Sequence, residues 1–101
     1  MGKLVRDRIP EIIRASGRTP TTRTLDESAY QEALHAKLLE EAGELREADS
    51  NEHVLEEAAD VFEVLAALAA CYGYTIGDVQ QKSEDKRRER GGFSQRIWLA
   101  Q

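Results

Sequence analysis

The stretch that most constrains this chain is KLLEEAGELREADSNEHVLEEAAD, residues 37–60, because its acids sit at mirror-image spacings about a turn signal. Leu34, Leu38 and Leu45 recur at helical spacing, which predicts a helix with a core-facing stripe. The step between Leu38 and Leu45 is filled by Glu41. A carboxylate on a core stripe is costly unless it is paired, neutralised or bound to a metal. Asp49, Ser50 and Asn51 form a cluster of turn and cap residues, so the chain is predicted to reverse there as a helical hairpin. Counting outward from the middle of that turn puts Glu44 level with Glu57 and Glu41 level with Asp60. On each helix the two acids stand three residues apart and so share a face. Four carboxylates at matched heights on facing helices repel one another unless a cation joins them, and an all-oxygen set suits magnesium or manganese. Solvated glutamates are commoner than ligands on helices, and Glu40, Glu47 and Glu56 fit that plainer description well.

One domain with a single core is what 101 residues allow. The lone cysteine, Cys71, precludes an internal disulfide, lies in an alanine-rich apolar run as a small core residue, and fits a reducing cytoplasm. No signal peptide is visible at the start, and the longest apolar run is too short to span a membrane. The net charge of −5 conceals an asymmetry: residues 24–81 carry fourteen acids and two bases, whereas residues 1–23 carry +4 and residues 82–101 carry +3. An acidic centre between two basic arms suits a phosphorylated small ligand and argues against duplex nucleic acid, which requires a broad basic face.

The remaining chain reads as all-α, an antiparallel bundle of about four helices in one domain over residues 1–101. Residues 4–16 predict a short amphipathic helix, or a loop followed by one, with Pro10 in the first turn and Ile9, Ile12 and Ile13 on one face. Thr24 to Glu27 has capping-box spacing and would open a helix over roughly 25–48. A third helix is expected from Ser50 or Asn51 to about Tyr72, with Val54, Ala58, Val61, Leu65 and Leu68 as its packing stripe. Beyond Phe62 this helix is apolar nearly all round, so the first and fourth helices or a second subunit must cover it. Thr75 to Asp78 caps a fourth helix that ends at Gly91 and Gly92, followed by an extended tail or a last turn over 93–99. On that helix Lys82, Lys86, Arg87 and Arg90 form one basic face able to meet a phosphate chain, and Lys3, Arg6 and Arg8 stand similarly. The plainer description pairs the helical bases with Glu84, Asp85 and Glu89. Glu32 and His35 have the spacing of a di-iron ligand pair, but the third helix offers no second pair, so His35 reads as a surface or interface residue. His53, one turn before Glu57, reads as a helix-surface residue near the acids.

Glu40-Glu41-x-x-Glu44, twelve residues, then Glu57-x-x-Asp60 resembles the EExxE…ExxD pattern of the all-α nucleoside triphosphate pyrophosphohydrolases, the MazG-like superfamily. KLVRDRIPEII over 3–13 and KRRERGGF over 86–93 resemble the ends of a small single-domain branch related to the phosphoribosyl-ATP pyrophosphohydrolases. The resemblance covers almost the whole chain. It implies a helical bundle whose core is completed by assembly as a homodimer or homotetramer. The implied reaction is metal-dependent hydrolysis of a nucleoside triphosphate at the α–β bond, giving a monophosphate and pyrophosphate in the clearance of non-standard or surplus nucleotides. By the same resemblance Glu41, Glu44, Glu57 and Asp60 would bind magnesium. Glu40, the first acid of the motif, would hold a further metal or orient water, which makes Glu40 and Glu41 the catalytic candidates. The phosphoribosyl-ATP branch is expected to carry a histidine soon after the ExxD aspartate, whereas Val61, Phe62 and Glu63 follow Asp60 here, which counts against that substrate. Two other activities compete with the first: phosphoribosyl-ATP hydrolysis, and a non-catalytic helical dimer that binds a nucleotide or a partner and retains the acids.

Overall fold

A computed structural model describes residues 2–100 as four helices, α1 (Ile9–Ala15), α2 (Glu27–Glu47), α3 (Asn51–Cys71) and α4 (Ile76–Arg90), with no strand among the described residues. The fold is all-α, as the periodicity predicts. The two longest helices are joined by three residues, which forces them into an antiparallel hairpin. Ser50 sets the turn: its backbone is extended and its hydroxyl accepts a hydrogen bond from the His53 amide at 3.1 Å. Removing that cap is expected to cost about 1 kcal/mol. Thermal denaturation of Ser50→Ala should therefore show a melting temperature lower by roughly 4–8 °C. An unchanged midpoint would mean that packing alone holds the reversal.

Helix α2 opens two residues later than the capping signal at Thr24 implies. Its cap is Asp26, whose carboxylate accepts from the Ala29 amide at 2.8 Å, so two nearby capping signals compete and the ionised one prevails. Thr75 and Asp78 do form a reciprocal capping box at the start of α4. Helix α1 follows a loop, with Pro10 in its first turn, and Ile12 points to solvent rather than joining Ile9 and Ile13.

The buried core is small. Leu34 of α2 and Val64 and Leu68 of α3 are its only buried apolar residues, with Leu4, Tyr30, Leu38, Ala67 and Cys71 packed around them. The stripe of α3 that packs is thus not Val54–Ala58–Val61–Leu65–Leu68. Asp60, Val61, Val64, Leu68 and Cys71 turn inward, while Val54, Ala58 and Leu65 lie exposed. Because α3 is apolar on more than one side, periodicity alone does not say which side meets α2. Helix α3 packs chiefly on α2 and more sparsely on α4, and α1 packs on neither. The other apolar side of α3 is left uncovered within one chain.

Candidate metal centre and phosphate cleft

The register of the hairpin brings Glu41, Glu44 and Glu57 together: one carboxylate oxygen from each lies within 4.8 Å of the others. Glu41 is buried, with 6% of its surface exposed, where the leucine stripe would otherwise continue. Its Oε1 is 3.4 Å from Lys37 Nζ, one helical turn back, and its Oε2 is buried with no hydrogen-bond partner. Glu57 repeats the arrangement from the other helix. Its Oε1 is 3.2 Å from His53 Nε2, and its Oε2 is also buried without a partner. Each acid therefore has one oxygen held by a nitrogen base and one left bare. A bare buried carboxylate oxygen costs the desolvation of an ionic group with nothing to offset it. A hard cation would satisfy both oxygens, and three oxygens within this span suit an ion whose ligands stand about 2.1 Å from it.

Asp60 stands in the same cleft, but its carboxylate is taken by Arg6, Nη2 to Oδ1 at 2.7 Å. That hydrogen bond, followed by the charges of Asp60, Glu63 and Glu41, raises the Arg6 guanidinium above its already high range. The Arg6–Asp60 pair spans 54 residues of sequence and fastens the N-terminal segment to the hairpin. Glu41, Asp60, Arg6, Lys3 and Lys37 all line one cavity of about 650 Å³, which Tyr30 and Leu34 close from the apolar side. Burial there pushes the Tyr30 phenol up, with smaller contributions from Cys71 and Asp7. Glu40 lies beside Glu41, half-shielded, with its Oε2 3.6 Å from Lys37 Nζ. His53 also stands 3.2 Å from Asp49 Oδ1 through Nδ1. The Asp49 contact chiefly, and then the Glu57 contact, hold its imidazole above the usual histidine range.

The basic residues expected at the phosphates divide between two places. Lys3 and Arg6 line the acid cleft, whereas Arg8 pairs with Glu11 at 3.1 Å. Lys82, Lys86, Arg87 and Arg90 line a different, open cavity of about 1220 Å³ between α4, Tyr74 and Phe93. Of the helical bases it is Arg88 that pairs with Asp85; among the described residues those four form no ion pair. One chain does not bring this row to the acids. His35 contacts only the Tyr72 hydroxyl, at 3.5 Å on the surface.

Two residues escaped the reading of the sequence. Lys37 had a signal, since it precedes Glu41 by four and Glu40 by three on one helix. The partnership of Arg6 with Asp60 had none, because nothing local links residues so far apart.

Among known proteins, the chain is similar to an uncharacterised protein of Mycolicibacterium smegmatis, 62% identical over 56 residues, which are 55% of this chain and 57% of that protein. The chain thus spans little more than half the length of this relative. No solved structure matches it. Residues 30–92, which hold the hairpin, all three clustered glutamates, Asp60 and the basic row of α4, match the model of the MazG nucleotide pyrophosphohydrolase domain. With well over half of its residues inside that match, the chain belongs to the MazG nucleotide pyrophosphohydrolase domain family.

Proposed function

We propose that the protein hydrolyses nucleoside triphosphates at the α–β bond, releasing a nucleoside monophosphate and pyrophosphate, with magnesium or manganese held by Glu41, Glu44, Glu57 and Asp60. The bare, buried oxygens of Glu41 and Glu57 carry this reading, because they are half of a ligand set with nothing yet to ligate. When bound, the metal offsets phosphate charge and makes a water more acidic. Phosphoryl transfer otherwise asks the protein mainly for positioning and electrostatic stabilisation.

The residues of the cleft divide that work. Glu40, the less shielded of the adjacent pair, orients the attacking water and accepts its proton, while Lys37 keeps Glu40 and Glu41 in place. Water adds at the α phosphorus, the P–O bond to the bridging oxygen breaks, and pyrophosphate leaves with that oxygen. Arg6 and Lys3 line the same cavity and meet the phosphate chain as charge-assisted donors. Arg6 must share itself with Asp60 or leave it, so its contribution to substrate binding is linked to how Asp60 is engaged. The row of Lys82, Lys86, Arg87 and Arg90 would reach the substrate from a second copy, since in its own chain it faces another cavity. No described helix is long and apolar enough to cross a membrane. The free Cys71 suits a reducing compartment, and clearance of non-standard or surplus nucleotides in the cytoplasm is the role we assign.

The direct test is a panel of ordinary, deoxy and damaged triphosphates with pyrophosphate as readout. Stoichiometric release with magnesium, abolished by chelator, is expected. Nucleotide binding without release would favour a non-catalytic module, and activity on phosphoribosyl-ATP alone would favour the branch set aside above. Loss of one charge-assisted bond costs about 1.5–3 kcal/mol. Lys86→Ala and Arg90→Ala should each lower kcat/KM roughly ten- to a hundred-and-fifty-fold if they grip phosphate. Wild-type kinetics in both, at low salt, would remove the α4 row from the site and leave the metal centre untouched.

A further inference from the structure

Two apolar surfaces of this chain have no partner within it. The first is a stripe on α3: Leu55, Ala58, Phe62, Leu65, Ala69 and Tyr72 recur at alternating spacings of three and four, the pattern of a buried seam. Leu55, Phe62, Leu65 and Tyr72 are nonetheless exposed. The second is the C-terminal tail. Phe93, Ile97, Trp98 and Leu99 are four large apolar residues within seven positions, and Phe93 and Trp98 are 97% and 89% exposed. The tail has a definite shape. The Arg96 amide donates to the Phe93 carbonyl at 3.0 Å, and Arg96 holds a positive φ of 55°, an uncommon conformation for a residue with a side chain. Such a conformation normally persists where neighbours impose it, and no side chain of the same chain packs over it.

We infer that the tail of one copy docks on the α3 stripe of a second copy, reciprocally, giving a two-fold dimer with exchanged C-terminal arms. Charge selects this occupant over the obvious competitor, stripe against stripe. Helix α3 carries five acids and no lysine or arginine, so pairing α3 with its own copy sets acid against acid. Residues 82–101 carry +3, with Lys82, Lys86, Arg87 and Arg90 unpaired, so an arm laid along α3 sets base against acid. The area is sufficient. Buried aromatic side chains contribute roughly 150–250 Å² each, and two tails with the two stripes they cover reach the roughly 1,200–2,000 Å² of a stable interface. A closed two-fold exchange also uses up both surfaces, leaving no open end for chain growth. The inference is independent of the catalytic reading, though it would carry the α4 row to the neighbouring copy.

Trp98 is the only tryptophan, so its fluorescence reports the tail alone. In the full chain, light scattering should give a dimer whose Trp98 emission is blue-shifted and protected from quencher. Dilution should return the emission to that of exposed tryptophan as the dimer dissociates. Trp98→Ala, or ending the chain after Gly92, should weaken dimerisation at least tenfold. Phe62→Asp and Leu55→Asp change exposed sites of the single chain, so helical circular dichroism should persist while the dimer and the blue shift are lost. Three results would overturn the proposal: a dimer that survives all four changes, a monomer with Trp98 shielded at every concentration, or a monomer with Trp98 exposed.

Discussion

Glu41→Leu should give a protein that is more stable without metal and inactive with it. Position 41 continues the stripe of Leu34 and Leu38, and it now holds a buried carboxylate with one oxygen on Lys37 and the other on nothing. Replacing a buried ion pair with a well-packed apolar side chain is commonly neutral or stabilising by about 1–4 kcal/mol. Lys37 is left without Glu41 but keeps Glu40, so a gain near the lower end, about 1–2 kcal/mol, is expected. In the metal-free protein that is a melting temperature raised by roughly 5–15 °C. Millimolar magnesium should stabilise the wild type, because it binds the folded form preferentially, and should leave the variant's midpoint where it was. Pyrophosphate release should fall at least about a hundredfold, the scale of a lost electrostatic contact in a reacting site. Glu57→Gln should lose the magnesium response and the activity without the gain in stability. A Glu41→Leu protein that is strongly destabilised without metal would show that the carboxylate is held by interactions absent from this structure. One that still responds to magnesium would remove Glu41 from the ligand set.

The second large effect concerns the core. Leu34 is 3% exposed and meets Val64 and Leu68, and these three make up the buried apolar centre of the chain. Leu34→Ala should cost about 2–5 kcal/mol, since little else is available to fill the void. For a domain of this size the melting temperature should drop by roughly 10–20 °C, or the chain should fail to fold at 37 °C. Leu39→Ala, at an exposed site on the same helix, should change stability by less than about 0.5 kcal/mol. A small effect at Leu34 would move the main stabilising contacts from the hairpin interior to contacts between copies.

The hairpin and the meeting of its acids were legible because a turn signal at Asp49 to Asn51 fixes the level of every residue on either side of it. That arithmetic is insensitive to an error of a residue or so at the outer helix ends, so the late start of α2 at Glu27 does no harm. Which face of α3 turns inward was not legible, because two of its sides offer apolar stripes and only contact with α2 decides between them. Asp60 shows the same limit at a single side chain. Its height on α3 follows from the register, but its partner, Arg6, arrives from a loop whose path no local pattern encodes. The basic row of α4 was legible as a face and illegible as a location, since the direction of α4 depends on packing that one chain only sparsely provides.

The three-residue connection between α2 and α3 also governs the order of events in folding. Closing so short a loop takes little chain entropy, and the contacts it enables lie near one another in sequence. The hairpin is therefore the natural nucleus, assembling on the microsecond-to-millisecond scale of local helical contacts. Glu41, Glu44 and Glu57 are all on it, so their mutual repulsion is met at the earliest step, before the Arg6 loop or α4 has settled. Divalent cations present during synthesis would relieve that repulsion in the nascent hairpin itself, making the ion a participant in folding as well as in chemistry.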